Sequence, residues 1–513
     1  MAPVKKRART DLDDKKCFSE LQKKADQFLT DRSCSNNLLD IISLCISDEE
    51  EVVIEAQKTL EKIFVFLLNK NELDMQDLEN NEVLETEKVY KSWLQECYAD
   101  AKKQLIENLD ASYNIQECAL SVLMNLVKEE GLNLLKNSKK DYFSLELLTE
   151  IIQKLLSEEK EQKLIIIQLT KFFKYEDIKC NVLKSIVKIL KDNNKQESNS
   201  IFLENIYTII SKIHLNSPKK EGKQNKDDDL NRKLFINSDN ENNVSIDFQY
   251  MRRMFTSIWL EFLKFQFQLT PKLYKKVLTI LDQNVISDFT NPLLLADFLT
   301  KAYNAGGSIS LLALNGIFTL MQNYNLEYPD FYKKLYALFD ASVFYSQYKA
   351  NFFFLADVFL SSTHIPEYLV AAFIKRLSRL CLIIPASSLF VVIPFIRNLL
   401  IRHQLQILIN NPSDVEITDD PYIMDEPDPL KCKALESSLW EIKTLQSHWH
   451  PEVAIKARFI NKPLPKMESD LSEFYELDSH ELFEKEISKE FRDVPLNFEK
   501  PLGLFKGTEV FMF

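Results

Sequence analysis

Apolar residues recur along most of the chain with the spacing of one face of an α-helix. In one stretch Ala56, Leu60, Ile63, Phe64 and Leu67 follow one another at steps of three, four or one. Because an α-helix turns once in about 3.6 residues, these side chains share one stripe and predict a helix with one buried face. The same pattern occurs in residues 147–155, 183–190 and 273–285, and no alternating strand pattern of comparable length occurs.

Proline and capping residues indicate where several of these helices begin. Thr270 precedes Pro271, and Asn291 precedes Pro292. A Thr or Asn side chain satisfies free amides at a helix start, and proline is tolerated at the first position. Many amphipathic helices without a strict sequence period predict an all-α fold, an irregular HEAT-like helical-repeat solenoid with an acidic C-terminal tail.

Changes in composition divide the chain into five segments. Residues 1–13 form a basic nuclear-targeting tail, and residues 14–216 form N-terminal helical repeats. Residues 217–245 are rich in charged and polar residues, with too little apolar surface to offset the entropy of ordering, and predict a flexible linker. Residues 246–460 form a second helical domain, and residues 461–513 form an acidic C-terminal extension.

Two stretches contain no charged residue, residues 302–326 and residues 380–396. Such stretches raise the question of whether either one spans a membrane. The second is short for a helix that crosses about 30 Å of hydrocarbon and contains Pro385 and Pro394. The first contains Gly306 and Gly307 together with many polar residues, among them Asn304, Ser308 and Asn315. Both therefore predict buried repeat helices, and membrane association is not expected.

The chain lacks the sequence motifs of common catalytic and cofactor sites. Neither GxxxxGK[ST] nor GxGxxG occurs, and no GxSxG or HExxH motif is present. His448, His450 and Cys432 lack the fourth ligand of a closed zinc site. Eight scattered cysteines without a CxxC pair predict reduced thiols. We therefore expect no catalytic residue, no cofactor and no metal, and a protein that is not an enzyme.

A short basic cluster near the N-terminus predicts import into the nucleus. Lys5, Lys6, Arg7 and Arg9 follow Pro3. A compact run of bases in an extended segment is typical of a nuclear localisation signal, although a solvated basic tail has the same composition.

A second basic region, residues 362–410, contains one acid, Glu367. Lys375 and Arg379 stand four residues apart and share one face of a predicted helix. The candidate patch for binding a partner protein or RNA consists of Lys375, Arg376, Arg379, Arg397, Arg402 and His403. The alternative is the ordinary solvated face of a core helix.

The acidity of the chain lies mainly in its C-terminal fifth. Residues 411–513 hold 22 Asp and Glu against 12 Lys and Arg, so most of the net charge of −12 lies there. In residues 469–491 apolar residues alternate with acids. Such a segment suits docking onto a basic groove of a partner, or it packs back on its own solenoid.

Several long segments resemble the CCAAT-binding-factor-type nucleolar complex family. They are YNAGGSISLLALNGIFTLMQNYNLEYPDFYKKLYALFD at 303–340, FFFLADVFLSSTHIPEYLVAAFIKRLSRL at 352–380 and FVVIPFIRNLLIRH at 390–403. The segments DEPDPLKCKALESSLWEI at 425–442 and HWHPEVA at 448–454 are similar to the nucleolar complex protein 4 subfamily in particular. The likeness covers roughly residues 290–460.

The resemblance implies a nucleolar assembly factor of the small ribosomal subunit. It implies pairing with a nucleolar protein 14 homologue, membership of the small-subunit processome, a part in small-subunit rRNA processing and only indirect contact with pre-rRNA. It favours a tight helix junction over a ligand loop at Gly306 and Gly307, since glycine permits close backbone approach. Trp440 could anchor a partner or pack in its own core, and we expect the core. A nuclear transport or transcription adaptor with the same fold is the alternative.

Overall fold

Helices are the regular elements of the structure, as the apolar stripes predict. The computed structural model describes residues 20–47, 49–73, 85–134, 143–192, 199–215, 234–236, 247–362, 364–405, 408–409, 420–475 and 477–489. Within these ranges no β-strand occurs, and the all-α prediction is confirmed. The chain divides into unit 1, residues 1–300 and 319–326, and unit 2, residues 301–318 and 327–513.

Unit 1 contains eleven described helices and the start of a twelfth. They are α1 (20–30), α2 (Asn36–Leu44), α3 (Glu50–Asn69), α4 (Glu85–Glu107), α5 (Tyr113–Asn133), α6 (Leu145–Leu155), α7 (Lys163–Thr170), α8 (Glu176–Asp192), α9 (Ser200–Ile210), α10 (Phe248–Lys264) and α11 (Pro271–Ile280). The predicted cap before α11 is present, since the Thr270 side chain accepts from the Leu273 amide at 3.3 Å.

The helices of unit 1 pack in two alternating rows. In one row α3 packs on α5, α5 on α7 and α7 on α9, and in the other α2, α4, α6, α8 and α10 pack each on the next. Contacts such as α2 with α3 and α4 with α5 join the rows. The stripe from Ala56 to Leu67 lies in the core. Each helix therefore buries its apolar face against its neighbours, and the predicted helical-repeat solenoid is confirmed.

Two residues within the predicted flexible linker contact α8 and the residue before it. The backbone amides of Phe235 and Ile236 donate to the buried carboxylate of Asp177 on α8, at distances of 2.9–3.0 Å. The Phe235 ring lies 5.1 Å from the ring of Tyr175. The prediction of a flexible linker is therefore wrong at Phe235 and Ile236. The helices α8 and α10 pack directly on each other. The rest of residues 217–245 lies outside the described residues.

Unit 2 is built around two buried helices, α16 and α17. Its helices are the end of α12 (Ala296–Asn304), most of α13 (Gly307–Tyr324), α14 (Phe331–Leu338), α15 (Lys349–Phe359), α16 (Glu367–Leu380), α17 (Ala386–Arg402), α18 (Trp440–Thr444), α19 (Pro451–Ala457), α20 (Ser472–Tyr475) and α21 (Ser479–Ile487). α16 packs on α17 and α18, and α17 packs on α19, α20 and α21. The charge-free stretch 380–396 lies mainly in α17 and is buried there.

Aromatic rings fix the position of α16 in unit 2. The Phe339 ring lies 5.4 Å from the ring of Phe373 on α16 and 4.9 Å from the ring of Phe352 on α15. Such edge and tilted arrangements add to the free energy of burial. In the helices that the structure describes, none is long and apolar enough to cross a membrane.

The glycine pair forms a tight junction between α12 and α13, but for a different reason from the one expected. Gly306 and Gly307 have φ angles of +81° and +62°, and a Cβ at either position would meet no atom within 4 Å. The junction therefore requires the left-handed backbone conformation, not a close approach. The Ser310 hydroxyl accepts from the Gly306 amide at 2.8 Å and holds the turn.

Candidate functional site

The predicted basic patch is not one exposed surface, because its central residue lies in the protein interior. Lys375 lies on α16 and its side chain is 0% exposed. Lys375 and Arg379 share a face of the helix, as their spacing predicts, but both contact residues 420–441 of the same chain. The expectation that Lys375 lies on a solvent-facing surface is therefore wrong.

Two carboxylates neutralise Lys375 and Arg379. The Lys375 ammonium lies 2.6 Å from Oε1 of Glu441 and 2.8 Å from Oδ2 of Asp420. The Arg379 guanidinium lies 2.9 Å from the same atom of Glu441 and 2.8 Å from the same atom of Asp420. We call these four residues the α16 charge cluster. Its two cations and two carboxylates balance, which is what burial of charge requires.

Burial and hydrogen bonds shift the pKa values of the two acids in opposite directions. Burial opposes ionisation of Asp420, but hydrogen bonds from Lys375, Ser437 and Trp440 outweigh it and hold the pKa of Asp420 well below its usual range. Burial raises the pKa of Glu441, which is 0% exposed, while the hydrogen bond from Lys375 opposes that rise. The cluster therefore fixes residues 420–441 against α16.

Trp440 lies at the edge of this cluster and is partly exposed. Its indole nitrogen donates to Oδ2 of Asp420 at 2.7 Å. The Arg379 guanidinium lies 4.8 Å from the centre of its ring, at cation–π distance. Trp440 therefore contacts its own chain, but 39% of its surface is exposed, so the expectation of a core position is wrong.

Arg376 donates hydrogen bonds to backbone carbonyls, not to carboxylates. Its Nε donates to the Phe339 carbonyl at 2.7 Å and its Nη1 to the Met424 carbonyl at 3.0 Å. The guanidinium lies 4.6 Å from the centre of the Tyr336 ring. Arg376 thereby joins the end of α14 to the segment that follows residue 420.

The last two residues of the predicted patch, Arg402 and His403, also contact their own chain. Arg402 lies 2.5 Å from Glu468 and 3.2 Å from Asp357. The hydrogen bond from Arg402 lowers the pKa of Glu468. The His403 ring lies 2.8 Å from the Leu360 carbonyl. These contacts attach α17 to α15 and to the acidic extension.

Arg397 differs from the other members of the patch. It lies on α17, and its Nε is buried without a hydrogen-bond partner in the described part of the chain. Whether any residue of the predicted patch binds a partner or RNA stays a prediction. The nuclear localisation residues Lys5, Lys6, Arg7 and Arg9 lie outside the described residues.

Asp420 and Glu441 were not foreseen as parts of the site, because their partners are far away in the sequence. Asp420 lies 41 residues from Arg379, and Glu441 lies 66 residues from Lys375. The sequence signal that could have found them is an excess of basic residues in 362–410 followed by an excess of acidic residues after 410. Sequence spacing alone assigns no partner within either group.

The described part of the acidic tail packs on its own chain. The Asn398 side chain exchanges two hydrogen bonds of 2.8 Å with the backbone of Ser469. The Lys349 ammonium donates to the Leu477 carbonyl at 3.0 Å. Of the two expectations for residues 469–491, packing back on the chain is observed at Ser469, Leu477 and α20. In α21 the apolar side chains of Phe483 and Ile487 are exposed.

The histidine pair near α19 has structural contacts. Nδ1 of His448 accepts from the His450 amide at 3.1 Å, and the His450 ring packs edge-on against Phe390. Cys432 is a buried free thiol. Across the ranges that the structure describes, no three His, Cys, Asp or Glu residues are placed to hold a metal ion.

Comparison with known proteins identifies the family. Residues 310–457 match the CBF/Mak21 family, and residues 11–197 match the family described as nucleolar complex protein 4-like, TPR repeats. Nucleolar complex protein 4 homolog B of Xenopus laevis is 41% identical over 501 residues, which cover 94% of this chain and 93% of that protein. The homolog of Gallus gallus is 40% identical, covering 93% and 95%. The homolog of Homo sapiens is 38% identical, covering 94% and 95%.

These similarities extend over both units and include the α16 charge cluster within the CBF/Mak21 match. The family similarity predicted from residues 290–460 is therefore confirmed and reaches the N-terminal repeats as well. The chain belongs to the nucleolar complex protein 4 family.

Proposed function

We propose that this chain is a nucleolar ribosome-assembly factor that acts as a protein-binding scaffold in the small-subunit processome. It is needed for small-subunit rRNA processing and for biogenesis of the small ribosomal subunit. Similarity over 94% of the chain to nucleolar complex protein 4 homologues carries the proposal. The alternating rows of helices in unit 1 support it, because stacked helices present long surfaces to partners.

Binding, not catalysis, is the proposed mode of action. Asp177 and Glu441 are buried acids whose pKa is raised by burial, and such groups are candidates for catalysis. Here each holds a segment of its own chain, Asp177 at residues 235 and 236 and Glu441 on α16. This use of the ionisable groups favours a structural framework.

The proposed partners follow the family resemblance. They are a nucleolar protein 14 homologue and other small-subunit processome proteins, with pre-rRNA reached indirectly through them. The proposed location is the nucleus and nucleolus, with Lys5, Lys6, Arg7 and Arg9 as the import signal.

Depletion of the protein from cells, followed by rescue, tests the proposal. We expect depletion to reduce mature small-subunit rRNA and to leave large-subunit rRNA intact, and we expect the tagged chain to retain a nucleolar protein 14 homologue. Normal processing of both rRNAs, with transport cargo or promoter-bound factors retained instead, would favour the adaptor alternative.

The import signal is tested in the same cells with matched variants. Replacing Lys5, Lys6, Arg7 and Arg9 by alanine should leave the chain outside the nucleus and abolish rescue. Replacing Lys15 and Lys16 by alanine removes nearby positive charge outside the cluster and should leave both nuclear location and rescue intact. Equal effects of the two variants would contradict the assignment of the signal.

A further inference from the structure

A small cavity in unit 2 brings together two cations that form no ion pair with any described carboxylate. The cavity has a volume of about 220 Å³ and lies between α17, α19 and α20. Arg397 of α17 and Lys456 of α19 line it, together with Phe459, Ser469 and Phe474. One wall of the cavity is held in place, because the backbone of Ser469 is hydrogen-bonded to the side chain of Asn398.

Glu452 and Glu473 act on the charge of Lys456, but neither lies within ion-pair distance of it. Arg397 and Lys456 form no ion pair within the described part of the chain, whereas Arg402 on the same helix as Arg397 pairs with Asp357 and Glu468. The Nε atom of Arg397 is buried and has no hydrogen-bond partner among the described residues. A buried donor without a partner costs free energy that an incoming acceptor would recover.

Aromatic rings hold the Lys456 ammonium in place at the cavity. It lies 3.6 Å from the centre of the Phe474 ring and 5.1 Å from the centre of the Phe390 ring. Cation–π contact fixes the charge without neutralising it. Burial lowers the pKa of Lys456, and the nearby charge of Arg397 lowers it further, while Glu452 and Glu473 act in the opposite sense. The two positive charges are thus close enough to repel each other, which an anion between them would relieve.

We propose that Arg397 and Lys456 form a binding site for one phosphate group carried by a phosphorylated side chain of a partner protein. Arginine and lysine are the side chains that bind phosphate, arginine through its planar array of donors and lysine as a point charge. The position of the Lys456 ammonium is set by its aromatic contacts before any ligand arrives, so little ordering cost accompanies binding.

The acids around the cavity favour a single phosphate over a nucleic acid strand. The acids that act on the charge of Lys456 at the cavity are Glu452 and Glu473. An RNA strand carries a phosphate at each nucleotide and would bring further negative charge against these carboxylates. One phosphorylated side chain brings only the group that the two cations bind. That the occupant belongs to a partner protein rests on the proposed scaffold function, whereas the site itself does not.

The site is tested on the purified full-length chain with inorganic phosphate and with O-phosphoserine. Binding is followed by titration calorimetry at constant ionic strength, with chloride as the reference anion. Arg397→Gln and Lys456→Gln should each weaken binding of both probes at least about tenfold, since each removes a charge-assisted contact. Lys462→Gln removes an exposed charge close to α19 in the sequence and should leave binding unchanged.

Three results would overturn the proposal or its parts. If the wild-type chain and both cavity variants bind the probes equally, and their unfolding curves in chloride agree, Arg397 and Lys456 do not form a binding site. An equal loss in Lys462→Gln would show only a general charge effect. A short single-stranded RNA that binds more tightly than O-phosphoserine, and loses that binding in the cavity variants, would assign the site to RNA. Because these measurements use purified protein, their outcome does not depend on the outcome of the depletion experiment.

Discussion

Replacing Lys375 by methionine measures how much the α16 charge cluster stabilises unit 2. Methionine keeps an unbranched side chain of similar length but leaves Glu441 without its nearest cation, at a position where both side chains are 0% exposed. Removing one partner of a buried ion pair costs about 3–5 kcal/mol. Arg379 still lies 2.9 Å from Glu441, so we expect a loss near the lower end, about 3 kcal/mol.

Urea unfolding of the full-length chain, followed by circular dichroism, measures this loss as a shift of the transition that belongs to unit 2. Lys333→Met is the matched control, because Lys333 is 52% exposed and lies 3.5 Å from Asp428 in the same unit. An exposed pair of this kind contributes about 0–1 kcal/mol. Equal losses in the two variants would refute the burial argument.

A double-mutant cycle separates the ion pair from the rest of the packing. Glu441→Leu alone leaves Lys375 with Asp420 and should also destabilise unit 2. The combined Lys375→Met and Glu441→Leu variant leaves neither charge of the closest pair behind. We therefore expect its loss to be smaller than the sum of the single losses by about 0.5–3 kcal/mol. Strict additivity would mean that the two side chains do not act as a pair.

Three further changes test other parts of the structure. Asp177→Asn removes a charged acceptor for the Phe235 and Ile236 amides, so hydrogen exchange at both amides should accelerate while that of buried α3 amides stays unchanged. Asp420 has a lowered pKa in the folded chain, so its contribution to stability is present above its unfolded pKa of about 4 and is lost as pH falls through the lower folded value. The gap in unfolding free energy between wild type and Asp420→Asn should therefore narrow on acidification, and a constant gap would contradict this. Gly307→Ala places a side chain at φ +62° and should destabilise unit 2 by about 1 kcal/mol in urea unfolding, although its Cβ meets no atom.

Features set by neighbouring residues were predictable from the sequence. The stripe from Ala56 to Leu67 predicted α3 and its buried face, because side-chain spacing along a helix is fixed by backbone geometry. The pair Thr270 and Pro271 predicted the start of α11 for the same local reason. The alternating rows of unit 1 follow, since each amphipathic helix needs a partner for its apolar face.

Features set by distant residues were not predictable in this way. The polarity of residues 217–245 predicted a linker, yet Phe235 and Ile236 pack because a buried carboxylate on α8 accepts their amides. The basic residues of α16 predicted an exposed patch, yet Lys375 is buried because Glu441 follows it 66 residues later. A local count of charges contains no information about such pairings, since they depend on the tertiary fold.

The bases before residue 410 and the acids after it therefore form one intramolecular feature. Arg379 pairs with Asp420 and Arg402 pairs with Glu468, so acids after residue 410 neutralise bases that precede it. A partner that used those bases would have to displace a carboxylate already in contact with them, at a cost close to that of breaking the pair. Arg397 and Lys456 have no such competitor among the described residues. We therefore expect an anionic group of a partner to gain more from Arg397 and Lys456 than from the paired bases Arg379 and Arg402.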